Sequence, residues 1–136
     1  MSANSRLIEP MRLLRTEKLP EGPDWQYERK LDGYRALAIK SVGRVQLRSR
    51  NDNDFSVRYS EIARALASMP DETVVDGEVV ALDESGKPSF NALQNYGSGG
   101  ATLNFYLFDV LVLKGQDVIA GETTRAAGKA CSACAR

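Results

Sequence analysis

The chain has 136 residues, 18 of them basic and 18 acidic, with 43% hydrophobic and 26% charged positions. These values fit one globular domain, or part of one, and argue against a chain that is disordered throughout, a collagen or a coiled coil. There is no histidine, which excludes histidine base catalysis and histidine-ligated metals, while zero net charge gives no compositional support for nucleic-acid binding and leaves a local basic groove open.

No stretch approaches the ~20 apolar residues of a membrane span, and no apolar signal core follows Met1. The expected location is therefore cytoplasmic, without membrane contact. Residues 1–24 hold Pro10, Pro20 and Pro23 and read as an extended lead-in. Trp25, Tyr27 and the apolar positions after Asp32 suggest strands. Residues 36–40 and 44–48 flank Ser41-Val42-Gly43, a hairpin signal. Ile62, Ala65, Leu66 and Met69 then fall at helical spacing, predicting an amphipathic helix within 57–69 that ends at Pro70. The β-branched run 73–82 predicts a strand, residues 83–86 a turn, and 88–96 a short helix. Residues 97–100 predict a glycine loop, without the Gly-Lys-Ser/Thr ending of a phosphate-binding P-loop. The apolar segment 104–113 predicts a central strand. Residues 120–136 contain almost no large apolar side chain and predict a poorly ordered tail. Cys131 and Cys134 lie in that tail, and with no further Cys or His to complete a zinc site they read as incidental thiols.

Three clusters can carry chemistry. Residues 28–35, Glu-Arg-Lys-Leu-Asp-Gly-Tyr-Arg, read either as a solvated strand end with a turn at Asp32-Gly33 or as a tuned nucleophile, Lys30. A lysine attacks only as the neutral amine, which an ordinary side chain of pKa about 10.4 populates roughly once in a few thousand at neutral pH. Neighbouring cations such as Arg29 and Arg35 favour that form, and Asp32 opposes it unless a metal offsets its charge. Arg48 and Arg50, at a strand end, suit phosphate recognition through the planar guanidinium fork or are simply exposed. Asp76 and Glu78 flank Gly77 inside a β-branched run. Such carboxylates must face solvent, a metal or a ligand hydroxyl, and the glycine suggests a bulge or close backbone approach. Phe108, an aromatic in an apolar strand, reads on its own as core.

Taken in order, these clusters resemble the nucleotidyltransferase (adenylation) domain of ATP-dependent DNA ligases, most closely the bacterial end-joining type. Residues 30–35 match the nucleophile motif K-x-D-G-x-R, residues 47–51 the S-R-N element, residues 75–81 the D-G-E strand and residues 105–111 the F-D-x-L strand. The match runs from about Pro10 to Val118. The resemblance implies an α+β fold, an incomplete ATP-grasp-like adenylation domain with antiparallel sheets flanked by helices around a nucleotide cleft, spanning residues 1–119. It implies that Lys30 attacks ATP to form lysyl-AMP and that AMP passes to a DNA 5′-phosphate at a nick or break. Glu28 would bind the adenine amino group and Phe108 the adenine face. Arg35 and Glu78 would hold the ribose and Arg50 phosphate, with Arg29 beside the nucleotide and Glu78 and Asp32 near Mg²⁺ or Mn²⁺. The implied partners are nicked or broken double-stranded DNA and other end-joining repair proteins.

The family's later lysine motifs and its DNA-clamping domain have no counterpart in these 136 residues, so a truncated product unable to seal nicks alone is expected. An inactive remnant that binds nucleotide or DNA ends, or needs a partner to complete its fold, is the alternative. The RNA-ligase and capping branch shares K-x-D-G; the D-G-E and S-R-N matches favour DNA ligase.

Overall fold

The computed structural model describes residues 7–9, 17–18, 21–25, 30–98 and 100–119. Five antiparallel strands form one sheet in the order β2-β1-β3-β4-β5. The strands are β1 (Tyr34–Ser41), β2 (Arg44–Ser49), β3 (Thr73–Leu82), β4 (Thr102–Leu113) and the two-residue β5 (Gln116–Asp117). Two short helices, α1 (Ser60–Ala65) and α2 (Phe90–Gln94), occupy the connections, and a 3₁₀ turn (Leu66–Ser68) extends α1.

The expected hairpin forms as β1 and β2, joined through Val42 and Gly43, which both have positive φ. Residues 73–82 form β3 with the expected limits, in the centre of the sheet, and the 104–113 segment forms most of β4. Between Thr102 and Val110 the outer edge of β4 has no strand partner among the described residues, because β5 pairs only with Val112 and Leu113.

Two expectations differ. Trp25 lies outside any strand and is exposed, its amide bonded to the Gly22 carbonyl; Tyr27 lies outside the described residues, as does the 120–136 tail. The helix expected within 57–69 is shorter. The Asp54 carboxylate accepts from the Ser56 amide, and residues 56–59 form turns instead of helix, the local competition that short polar side chains offer the backbone. The buried stripe is consequently Tyr59, Ile62 and Leu66, while Ala65 is exposed.

Both faces of the sheet are covered over part of their area. On one, α1 and α2 pack over Ala36, Ala38, Val75, Val79 and Ala81. An aromatic chain joins Tyr34 to Phe55 and Phe90, and Tyr59 to Phe55 and Tyr96, with ring centroids 5.3–5.9 Å apart. Buried Lys40 caps the 3₁₀ turn by donating to the Ala67 carbonyl at 2.7 Å, and Ser89 caps α2 by accepting from the Ala92 amide. On the other face Leu37, Ile39, Val74, Leu111 and Val112 form a second cluster beneath Ile8. Among the described residues no helix is long and apolar enough to cross a membrane.

Candidate nucleotide-binding site

Strand register assembles the site. Directly opposed residues on adjacent strands share a face, so three rows run across the face of the second apolar cluster. The first is Ile39–Val74–Val112, the next Leu37–Asp76–Asp109, and the last Arg35–Glu78–Tyr106. Along β3 this face thus passes from apolar core to charge within four residues. The carboxylates that seemed costly in a β-branched strand lie at this polar end.

Each has a specific partner. Asp76, buried, receives two hydrogen bonds from Arg35, Nε to Oδ1 at 3.1 Å and Nη2 to Oδ2 at 2.6 Å. The bond to Asp76, and then the negative charges of Asp76 and Glu78, raise the Arg35 pKa despite its partial burial. Glu78 Oε1 accepts from the Gly33 amide at 3.0 Å. Burial raises the Glu78 pKa, helped by the Asp32 and Asp76 carboxylates and opposed by the Gly33 bond and Arg35.

Both motif glycines are required by close approach. A Cβ on Gly33 would stand 2.1 Å from the Val79 carbonyl oxygen, and one on Gly77 would stand 2.4 Å from that of Tyr106. The 30–35 segment therefore lies directly on β3, and β3 directly on β4. Lys30 is exposed, three residues ahead of that anchor, as is Asp32.

The two arginines of the S-R-N element have different fates. Arg48 turns back on its own loop, donating to Asp52 Oδ1 and to the Asp52 carbonyl, both at 2.7 Å. Buried Ser49 closes the loop from within, its hydroxyl accepting from the Asn53 amide. Arg50 stands exposed at the loop tip and meets no bonded partner among the described residues. Phe108 departs from the core reading. Asp76 pairs with Asp109 but Gly77 with Leu107, so Phe108 is the extra residue of a β-bulge, a device that re-aims a side chain. It is 39% exposed and belongs to neither apolar cluster.

Of the predicted site residues, the fold brings Arg35 and Glu78 together and sets Gly33, next to Asp32, against Glu78. Lys30, Arg50 and Phe108 are solvent-facing, and Glu28 and Arg29 lie outside the described residues. Asp76 as the partner of Arg35 was missed. Its signal was the alternation Asp76-Gly77-Glu78, which puts both carboxylates on one strand face. A cavity of about 240 Å³ lined by Asp83, Glu84, Asn91, Asn95 and Ser98 contains none of these residues. Among the described residues no three acidic or cysteine side chains gather as a closed metal cage. The donor set, one or two carboxylates beside an arginine, instead suits a cation that completes its shell with water and phosphate oxygens, as Mg²⁺ does.

Known proteins share this sequence and this fold. The family described as "ATP dependent DNA ligase domain" matches residues 11–126. The multifunctional non-homologous end joining protein LigD of Pseudomonas aeruginosa is 41% identical over 105 residues, 75% of this chain and 12% of that protein. DNA ligase C of Mycobacterium tuberculosis is 33% identical over 88 residues, 64% of this chain and 24% of that protein. The ligase domain of M. tuberculosis LigD superposes with a TM-score of 0.68 at 36% identity, over 78% of this chain and 36% of that domain's chain. A mycobacterial DNA ligase D complexed with ATP and MES superposes with a TM-score of 0.62, again at 36% identity, over 79% of this chain and 36% of that one. This chain thus spans 36% of the two solved chains and 12% and 24% of the two curated relatives named.

Proposed function

We propose that this chain, which belongs to the ATP-dependent DNA ligase domain family, is the nucleotide-binding part of an end-joining ligase and carries the adenylated lysine. The observation that carries the reading is the docking of the Lys30–Arg35 segment onto β3, where the Gly33 amide meets Glu78 and Arg35 meets Asp76. Residues 1–119 form the adenylation unit in this reading and 120–136 an appendage to it.

In the proposed reaction ATP is the substrate. The neutral Lys30 Nζ attacks the α-phosphorus, a P–N bond forms, the bond to the pyrophosphate oxygen breaks, and the lysine proton leaves to solvent. Such transfers depend mainly on positioning and on stabilising charge at phosphate. Arg35 and Glu78 face the ribose, and Arg50, free at its loop tip, meets phosphate. Phe108 supplies a flat apolar surface for adenine, Glu28 accepts from its amino group, and Arg29 lines the nucleotide beside Lys30. Together these residues would form the nucleotide cleft. Glu78 and Asp32 would hold Mg²⁺ or Mn²⁺, which supplies charge neutralisation at phosphate when bound. AMP then passes to the 5′-phosphate of nicked or broken double-stranded DNA, alongside other end-joining proteins, in the cytoplasm.

The test is a pyrophosphate burst. Mixed with ATP and Mg²⁺, the chain should release at most one pyrophosphate per molecule, and Lys30→Ala none. A burst that survives Lys30→Ala overturns the assignment.

A second reading is favoured by the outer edge of β4, which between Thr102 and Val110 has no strand partner among the described residues. In it the chain binds nucleotide or DNA ends without chemistry, or needs a partner to complete the fold. No burst from a folded wild-type chain, restored on adding the remainder of a ligase domain, decides for it.

A further inference from the structure

The two carboxylates of β3 are both engaged by the segment that carries Lys30. Glu78 spends one oxygen on the Gly33 amide at 3.0 Å, and both oxygens of Asp76 are bonded to Arg35. The bonded residues, Gly33 and Arg35, belong to the short segment that begins at Lys30. Gly77, between the carboxylates, lets β4 approach so closely that no side chain fits there. Asp76 and Glu78 therefore project from a strand clamped on both sides, by β1 and by β4.

A bidentate carboxylate fixes the plane of a guanidinium, which a single bond does not. A bond to a backbone amide fixes chain position, and it acts together with the contact of Gly33 against the Val79 carbonyl. We propose that Asp76 and Glu78 are positioning residues, Asp76 aiming Arg35 and Glu78 anchoring Gly33, so that the segment carrying Lys30 is held in place. The inference rests on the adenylation reading for its consequence and on the hydrogen bonds of Asp76 and Glu78 for its geometry. It assigns Asp76 a role that the sequence did not suggest, and it gives Glu78 work to do through Lys30 as well as at the ribose.

The test has two arms on the full chain. The first needs no nucleotide: hydrogen exchange of the Gly33 amide and the Arg35 Nε–H, read by NMR. In Glu78→Ala the Gly33 amide should exchange roughly tenfold faster or more, the scale of losing a bond to a charged acceptor. Glu78→Gln, which keeps an acceptor oxygen, should restore protection. Asp76→Asn should speed Arg35 Nε–H exchange, while the Val75 and Val79 amides stay as protected as in the wild type. Free-rate exchange at Gly33 or Arg35 in the wild type, or no response to these variants, overturns the proposal even if one variant fails to fold.

The second arm follows AMP uptake against ATP concentration. Positioning predicts that Glu78→Ala lowers the rate at saturating ATP and that Glu78→Gln recovers part of it. A change confined to the ATP concentration for half-maximal rate would make the carboxylates simple ligands and overturn the proposal. A wild type that takes up no AMP counts against the adenylation reading alone, and the exchange arm still decides the positioning roles.

Discussion

Gly77→Ala tests the close approach of β3 to β4. The added Cβ would lie 2.4 Å from the Tyr106 carbonyl oxygen and 2.7 Å from Phe105 Cζ, against an ordinary contact of 3.4–4 Å. The Phe105 ring is partly buried in the main core, and the Tyr106 oxygen is backbone, so relief requires β4 to move about 1 Å from β3. Hydrogen bonds with an optimum near 2.9 Å do not survive that shift intact. Overpacking costs about 1–3 kcal/mol, and weakening one or two ladder bonds adds about 1 kcal/mol each. Replacing glycine in a strand returns about 0.5–1 kcal/mol. The net is about 2–4 kcal/mol, or a fall in Tm of roughly 10–15 °C for a domain of this size. Thermal unfolding followed by circular dichroism measures it, with Gly43→Ala as the comparison. Gly43 has open space around it and a φ of +73°, so its cost is local strain of about 1–2 kcal/mol. A Gly77→Ala Tm within about 2 °C of wild type, or a larger loss at Gly43, would refute the close-approach argument.

Tyr59→Phe should be neutral or stabilising by up to about 1 kcal/mol in urea unfolding, because the buried Tyr59 hydroxyl meets no hydrogen-bond partner among the described residues and removing it relieves a desolvation cost; a loss above about 1 kcal/mol would reveal a partner. Arg50→Ala should leave stability within about 0.5 kcal/mol while slowing AMP transfer by about 10²–10³; equal rates would remove Arg50 from phosphate contact. Glu78 gives a pH signature. Its folded pKa lies above the ordinary 4.5, so the stability it contributes is fully present below 4.5 and is lost as pH rises through the folded value. Urea titrations across that window should show wild type losing stability relative to Glu78→Gln, and parallel curves would contradict the burial argument. Asp54 has the opposite sign. Its bonds to Ser56 lower its pKa below 3.8, so stability present above 3.8 should fall in acid, and Asp54→Asn should flatten that fall.

Much of the fold was legible because its signals are local. The β-branched run 73–82 and the Ser41–Gly43 turn specify strands and their hairpin without reference to distant contacts. The 57–69 helix was over-read because periodicity does not see the Asp54–Ser56 bond that diverts the chain before Ser60. β5 is two residues long, too short for any periodic signal. At the site, the residue types were visible and their partners were not. Nothing in Arg48-Ser49-Arg50 says that the first arginine closes the loop and the second leaves it. Phe108 reads as core until the β4 bulge is known, because one extra residue reverses the facing of a strand. The pairing of Arg35 with Asp76 spans 41 positions and depends on strand register, which a single sequence does not state.

The central claim is a covalent AMP on Lys30. Intact mass after incubation with ATP and Mg²⁺ or Mn²⁺, followed by peptide mapping, tests it most directly. The account predicts a gain of one AMP in the wild type, mapped to Lys30, and no gain in Lys30→Ala. An adduct at another residue, or none in a chain that circular dichroism shows to be folded, would contradict it.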